Sequence, residues 1–245
     1  MKVRQDSVQT LISQYITPIL ISFLNNNRKF KDMAHRKQGY RFEDDWTEEQ
    51  LRKANENEGQ WVIAKTIPVN LEIKADHMVL NLEKAIEYLD RAHTIATLGC
   101  VCRTKHHNCD APIDVCITLN NVAEGALSRK TRNARRITRD EAVEVLRRSH
   151  EAGLVHMAYS VNGEPRVNAI CSCCSCCCAV LSSVLRFGLF PKILTSETIS
   201  VTDMSKCTGC GICVKRCQFG AREMVGGSLI INPKLCMGCG LCVTK

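Results

Sequence analysis

The chain reads CTGCGICVKRC over residues 207–217 and CMGCGLC over residues 236–242. The first stretch follows a C-x2-C-x2-C-x3-C pattern, with thiols at Cys207, Cys210, Cys213 and Cys217. The second repeats the first three of these positions, at Cys236, Cys239 and Cys242. Gaps of two residues let a tight turn direct three thiolates to one cluster, and the intervening glycines let the backbone approach it. We expect 4Fe-4S clusters here, because a zinc site would need only pairs of cysteines.

Residues 199–245 resemble the two-cluster ferredoxin domain of bacteria, and the resemblance rests on these two motifs. In that family each motif gives three ligands to its own cluster, and its fourth cysteine crosses over to the other cluster. The resemblance therefore implies one complete 4Fe-4S site, formed by Cys236, Cys239, Cys242 and Cys217. It implies a second cluster held by Cys207, Cys210 and Cys213.

The second motif departs from the family pattern at its end. Its fourth cysteine would follow Lys245, where the chain stops, so one cluster lacks its fourth thiolate and we expect the chain to be truncated. The alternatives are a 3Fe-4S cluster, or a labile iron bound by water or by an upstream cysteine. Gln218 also stands where the family usually has proline, a change that we expect to affect packing and not ligation.

Ten further cysteines lie upstream in two groups. Residues 99–116, GCVCRTKHHNCDAPIDVC, contain Cys100, Cys102, Cys109 and Cys116. Residues 171–178, CSCCSCCC, contain Cys171, Cys173, Cys174, Cys176, Cys177 and Cys178. Four ligands complete a cubane, so we expect one further 4Fe-4S cluster, with two as an alternative. A redox-active dithiol or a structural zinc site would also explain crowded thiols.

A second, weaker resemblance covers residues 75–190. This region is similar to the cysteine-rich region that precedes the ferredoxin domain in multi-cluster ferredoxin-like proteins of anaerobes and archaea. The specific role of that region does not carry over to this chain.

Composition favours a metal protein of the cytoplasm. The seventeen cysteines are clustered and not spaced at the intervals of a disulfide framework. The N-terminal residues do not predict an export signal, and no apolar run reaches the roughly 20 residues of a membrane span. The net charge of +8 comes largely from Arg28–Arg41 and Ser128–Arg139. These segments are either solvated faces or a docking surface for an acidic redox partner, and the scarcity of aromatic residues argues against nucleic acid.

The patterning predicts an α+β protein with three parts. Residues 1–74 form a helical region, and residues 75–194 form a mostly helical cysteine-rich domain with a small sheet. Residues 195–245 form a pseudo-symmetric ferredoxin-like domain, in which two short strands turn at Gly226 and Gly227 and residues 199–202 form a further strand. Helices are expected over residues 81–92 and after capping boxes at Thr47 and Gln50 and at Thr138 and Glu141. A hairpin is expected over residues 154–170, ending at the second cysteine group, and a strand over residues 94–98 leads to the first. This arrangement would bring the two groups together across the sheet.

Two functions compete at this point. The leading hypothesis is a non-catalytic carrier or redox subunit that relays single electrons to or from an oxidoreductase partner. The rival is an oxidoreductase whose upstream cysteines hold a substrate-reducing cluster, which the long region ahead of residue 195 favours. A sensor of oxygen or iron is a third hypothesis. No G-x-G-x-x-G turn or phosphate-binding loop occurs, which argues against a flavin, nicotinamide or nucleotide site.

Overall fold

The computed structural model describes residues 47, 49–50, 53, 77–159, 167–187, 193–194 and 199–243. Most of the predicted helical region 1–74, including the basic segment Arg28–Arg41, lies outside these residues. Within it, Thr47 and Gln50 form the capping box that their spacing predicts. The Gln50 N–H donates to Thr47 Oγ1 at 3.1 Å, and the Thr47 N–H donates to Gln50 Oε1 at 2.9 Å.

A seven-stranded sheet organises the described residues upstream of residue 195. Its strands are β1 (His77–Leu80), β2 (Ile95–Leu98), β3 (Cys116–Leu119), β4 (Arg135–Arg136), β5 (Val155–Tyr159), β6 (Ala169–Cys173) and β7 (Ile193–Leu194). They lie in the order β4-β2-β3-β6-β5-β1-β7, and each neighbouring pair is antiparallel except β1 and β7. The combination of this sheet with helices confirms the predicted α+β class.

Helices flank the sheet at positions that local signals predict. In the same part of the chain they are α1 (Leu82–Asp90), α2 (Val101–His106), α3 (Asn120–Ser128), α4 (Arg139–Glu151) and α5 (Ala179–Phe187). Asn81 caps α1 by accepting the Lys84 N–H at 2.8 Å. The predicted capping box begins α4, where Thr138 and Glu141 exchange hydrogen bonds of 2.7 and 3.2 Å. No helix among the described residues is long and apolar enough to cross a membrane.

The predicted hairpin forms between β5 and β6, which pair from Val155 and Cys173 to Tyr159 and Ala169. The sequence pattern ends the second strand at the cysteines, but β6 continues through Cys173 because its ladder with β5 reaches that far. β6 also pairs with β3, so it is a central strand. Because side chains alternate between the two faces of a sheet, Cys171 and Cys173 share one face and Ser172 lies on the other.

Each face of the sheet has its own apolar layer. Leu80 and Ala158 pack with the buried side chains of α1 and α4 on one face. Val155 and Met157 pack on the other face with α5 and with the C-terminal region. Full burial of each such leucine or methionine contributes about 1.5–3 kcal/mol. The C-terminal cysteine motifs are therefore joined to the upstream sheet by a shared core.

The C-terminal region consists of short elements around its cysteines. Helix α6 (Ile212–Arg216) follows Cys207 and Cys210 and contains Cys213, and β8 (Arg222–Val225) and β9 (Ser228–Ile231) form the predicted pair of strands. Gly226 and Gly227 turn the chain between them with φ of 56° and 82°. The strand predicted over residues 199–202 does not form. The Arg222 side chain instead binds Ser200 and Thr202 in that segment, by contacts of 2.6–3.4 Å.

Candidate metal centres

Four upstream sulfurs form a compact group, called here the four-thiol group. Cys109 lies in the loop after α2, and the other three lie in the turn after β6, so the group comprises Cys109, Cys174, Cys176 and Cys177. All four sulfur atoms lie within 4.8 Å of one another, and all four residues are buried. Cys109 and Cys174 are 3.7 Å apart, and Cys176 and Cys177 are 3.9 Å apart.

The other six upstream sulfurs form a closed ring, called here the six-thiol ring. Each thiol is a hydrogen-bonding neighbour of two others, in the order Cys100, Cys102, Cys178, Cys173, Cys171, Cys116 and back to Cys100. Cys116 and Cys171, on the paired strands β3 and β6, are 3.7 Å apart. The ring takes three cysteines from each sequence group. The prediction that the sheet brings the two groups together is confirmed.

The thiols of the ring do not ionise independently. Hydrogen bonds from Cys102 and Cys116 lower the pKa of Cys100, and hydrogen bonds from Cys116 and Cys173 lower the pKa of Cys171. The pKa of Cys173 is raised, because its thiol donates hydrogen bonds to Cys171 and Cys178 and is also buried. Thiolates are the form of cysteine that binds metals. Some thiols of the ring therefore ionise readily, and the others would lose their protons when a metal binds.

Arg103 is a buried cation between the two thiol groups. It is 1% exposed, and its guanidinium donates to Pro112 O and Ser172 O, each at 2.9 Å, and lies 3.8 Å from Cys174 Sγ. Burial alone would lower the pKa of Arg103, but the charges of the neighbouring Cys100 and Cys174 outweigh it and raise the pKa. A buried arginine held in this way offsets negative charge on thiolates at both sites.

Exposure differs among the members of the six-thiol ring. Cys102 and Cys171 are partly exposed, whereas the other ring members are buried. The Tyr159 hydroxyl lies 2.8 Å from Cys171 Sγ. Burial, reinforced by the charge of Cys171, raises the pKa of Tyr159 well above its ordinary value. A neutral phenol with its proton in place therefore lies against the Cys171 sulfur.

The C-terminal cysteines divide by burial. Cys207 and Cys210 are exposed, while Cys239 is buried and the rest are partly buried, namely Cys213, Cys217, Cys236 and Cys242. Burial raises the pKa of Cys217, and the charges of Cys242 and Cys236 raise it further. Burial likewise raises the pKa of Cys239 to about 12, with added effects from Cys217, Cys242 and Cys236. Cys217 is thus a close electrostatic neighbour of the second motif.

Arg222 connects the two C-terminal motifs. It is buried, is hydrogen-bonded to Cys213 and lies close enough to Cys242 for their charges to interact. Cys242 Sγ in turn donates to Ser200 Oγ at 3.2 Å. Gly209 has a φ of 68°, and a Cβ there would lie only 3.4 Å from the Gly227 carbonyl oxygen. A set of thiols with a buried cation beside it, and with a glycine where the backbone must come close, suits an anionic metal cluster.

Residues 200–223 match the model of the 4Fe-4S binding domain family. The match contains the first motif, with Cys207, Cys210, Cys213 and Cys217, and the second motif lies beyond it. The chain therefore contains a 4Fe-4S binding domain and is an iron–sulfur protein with at least one 4Fe-4S cluster. No curated protein and no solved structure matches it.

The C-terminal region, which contains the 4Fe-4S binding domain, is attached directly to the upstream thiol groups. Cys173 and Cys178 of the ring share an apolar cluster with Cys239, and Cys217 and Cys236 pack against that cluster. Arg216 adds hydrogen bonds to the His150 and Glu151 carbonyl oxygens at 2.8 and 3.2 Å. Domain and sheet are held together by both apolar and polar contacts.

Gln218 has a larger role than the sequence suggests. It is 3% exposed, its Oε1 accepts the Ser175 N–H at 2.7 Å, and its Nε2 donates to the Gly153 carbonyl oxygen. Ser175 lies within the second cysteine group, so Gln218 links the 4Fe-4S binding domain to the turn that carries the four-thiol group. A glutamine in place of the expected proline is the signal that could have revealed it.

Proposed function

We propose that this iron–sulfur protein relays single electrons between the C-terminal clusters and a cluster in the six-thiol ring, and exchanges them with an oxidoreductase partner. The observation that carries the proposal is the shared apolar cluster of Cys173, Cys178 and Cys239, with Cys217 and Cys236 packed against it. Two sets of cluster ligands separated only by side-chain packing suit direct electron transfer.

The C-terminal region holds two 4Fe-4S clusters in this proposal. Cys217 serves the cluster of Cys236, Cys239 and Cys242, and its electrostatic coupling to these thiols supports the assignment. The other cluster is held by Cys207, Cys210 and Cys213, with its fourth position open to water, to another ligand or to a 3Fe-4S form. Each cluster supplies a one-electron couple whose potential depends on burial and hydrogen bonds.

The six-thiol ring holds a further iron–sulfur cluster in this proposal. The ring lies where β3, β6 and α2 meet, and it has more thiolates than one cubane requires. Arg103 and Tyr159 are the neighbouring groups that would stabilise the charge of a bound cluster and hold a proton at Cys171. Because such clusters need reduced thiols, we also propose a reducing compartment such as the cytoplasm.

The redox partner is expected to bring an acidic surface to the edge of the sheet. Arg135 and Arg136 form the edge strand β4, next to β2, and both are exposed. Arg129 and Lys130 are exposed beside them, and Arg135 forms an ion pair with Glu141 at 3.1 Å. A surface of this charge steers an acidic protein towards the strand that leads into Cys100.

Cluster counting tests the proposal. The quadruple variant Cys100→Ser/Cys116→Ser/Cys171→Ser/Cys173→Ser, which leaves only two ring thiols, and the exposed control Ser128→Ala would be reconstituted anaerobically beside the wild type. Iron, acid-labile sulfide and EPR spectra would then be measured for the full chain. We expect the ring variant to lose about four irons and four sulfides, as one cluster requires, and the control to lose none. Equal iron and sulfide in all three proteins would contradict the proposal.

Catalysis at the ring is a second candidate function. The specific observation is the partly exposed Cys171 beside the Tyr159 hydroxyl, which suits protonation of a substrate reduced at the cluster. The isolated chain would then oxidise a reduced dye with a disulfide or another small acceptor, and Tyr159→Phe would slow that turnover. Turnover that requires an added reductase partner would favour the carrier instead.

A further inference from the structure

We infer that the four-thiol group binds a single metal ion, Zn²⁺ or iron, in a tetrahedral tetrathiolate site separate from the iron–sulfur clusters. The group comprises Cys109, Cys174, Cys176 and Cys177. The inference does not depend on electron transfer by the ring or by the C-terminal clusters.

Spacing of the sulfur atoms carries the inference. Four thiolates at about 2.3 Å from one tetrahedral ion lie about 3.8 Å from each other along each edge. The two measured edges are 3.7 Å, between Cys109 and Cys174, and 3.9 Å, between Cys176 and Cys177. No pair in the group exceeds 4.8 Å. Both edges therefore have the length that one tetrahedral ion requires.

A cubane does not fit the same space. Its four thiolates bind four different iron atoms at its outer corners, which places them farther apart than ligands of one ion. Among the described residues, this group alone has its candidate ligand atoms within 4.8 Å of one another. Each thiol of the ring contacts only the two thiols beside it in the ring, so the ring is wider than the four-thiol group. The ten upstream cysteines thus form two sites of different size.

The surroundings fit a closed structural site. All four residues are buried, so no coordination position is open to a substrate, as in structural zinc sites. Four thiolates on a divalent ion carry a net charge of −2, which the Arg103 guanidinium, 3.8 Å from Cys174 Sγ, partly offsets. Asn108 fixes the turn by donating to the Cys176 carbonyl oxygen at 2.9 Å. Soft ligands in this geometry select zinc or iron.

The position of the ion gives it a structural task. It joins the loop after α2 to the turn after β6, two segments that are distant in sequence. The same turn lies between Cys173 and Cys178 of the ring, and its Ser175 is bound by Gln218. One ion therefore fixes both the ring and the attachment of the 4Fe-4S binding domain.

Metal analysis of two matched variants tests the inference. Cys109→Ser and the quadruple ring variant Cys100→Ser/Cys116→Ser/Cys171→Ser/Cys173→Ser would be prepared as full chains, and zinc, iron and acid-labile sulfide would be measured per chain. We expect Cys109→Ser to lose one metal ion with no loss of sulfide, whereas the quadruple ring variant loses iron and sulfide together. Loss of iron and sulfide in equal amounts from Cys109→Ser, or loss of no metal, would overturn the inference.

Native mass spectrometry of the wild-type chain covers the case in which Cys109→Ser does not fold. We expect a bound mass equal to whole iron–sulfur clusters plus one sulfide-free ion, whose mass distinguishes zinc from iron. A bound mass made of clusters alone would refute the single-ion site. Failure of the ring cluster would appear separately, as a missing cluster mass with the single ion still present.

Discussion

Gln218 is buried between the 4Fe-4S binding domain and the turn of the four-thiol group. Replacing it by alanine leaves the Ser175 N–H and the Gly153 carbonyl oxygen without their side-chain partner. We expect Gln218→Ala to lower the free energy of unfolding by about 3 kcal/mol, measured by anaerobic denaturation followed by circular dichroism. The exposed control Lys215→Ala should change it by no more than about 0.5 kcal/mol. Equal effects of the two variants would show that Gln218 does not join the two parts.

Cys217 tests the proposed crossing of ligands between the C-terminal clusters. If Cys217 serves the second motif, Cys217→Ala and Cys239→Ala should lose the same cluster and give matching EPR spectra of the reduced protein. Cys213→Ala should lose the other cluster and give a different spectrum. A Cys217→Ala spectrum that matches Cys213→Ala would instead assign Cys217 to the cluster of its own motif.

At the scale of single residues, the sequence identifies which cysteines matter but not how they are grouped. The C-terminal motifs are recognisable because their ligands lie two or three residues apart in one turn. The upstream groups share no such local rule. Cys109 lies beside Cys174, 65 positions away in sequence. Cys100 lies beside Cys116 because β2, which precedes Cys100, pairs with β3. These partners therefore depend on the order of strands in the sheet.

His150 on α4 and His156 on β5 form a stacked pair with ring centroids 5.6 Å apart. Burial lowers the pKa of His156 from 6.5 to about 3, with a smaller effect from His150. Burial also lowers the pKa of His150, with a smaller effect from Arg216. Above pH 6.5 these histidines are neutral whether or not the chain is folded, so they do not make stability depend on pH there. Below pH 6.5 the two histidines bind protons in the unfolded chain, whereas in the native protein they stay neutral.

This difference predicts that the contact between α4 and β5 stabilises the protein less as the pH falls. As pH falls from about 6.5 to 5.5, His156 should reduce the free energy of unfolding by about 1 kcal/mol, and His156→Asn should remove that part of the slope. Urea denaturation at the two pH values measures it, with the difference between wild type and variant cancelling effects common to both. An equal change with pH in the free energy of unfolding of the wild type and of His156→Asn would show that His156 is not held neutral.

At the scale of elements, local signals predict well and pairing signals predict partly. α1, α4 and the β5–β6 hairpin follow from capping residues and alternation, which involve neighbours in sequence. The strand expected over residues 199–202 does not form, and the side chain of Arg222, from β8, binds that segment instead. The extent of β6 into the cysteines also depends on its partner strand, which the pattern of one segment does not contain.

The whole molecule combines three kinds of thiol site around one sheet. The four-thiol group lies by the layer of α1 and α4, the six-thiol ring lies where β3, β6 and α2 meet, and the C-terminal motifs cover the opposite face. The sequence predicts the α+β class and the C-terminal motifs from their patterns. The contact between the ring and the C-terminal region is a property of the packed fold, because Cys173, Cys178 and Cys239 come together in one apolar cluster only there.

Magnetic interaction between reduced clusters tests this contact directly. Two reduced clusters separated by a single layer of side chains should broaden or split each other's EPR signals, as neighbouring electron spins do. We expect the fully reduced wild-type protein to show this interaction, and we expect the quadruple ring variant Cys100→Ser/Cys116→Ser/Cys171→Ser/Cys173→Ser to show the unperturbed signals of the C-terminal clusters. Wild-type spectra equal to the sum of independent signals would contradict a ring cluster placed to exchange electrons with the C-terminal domain.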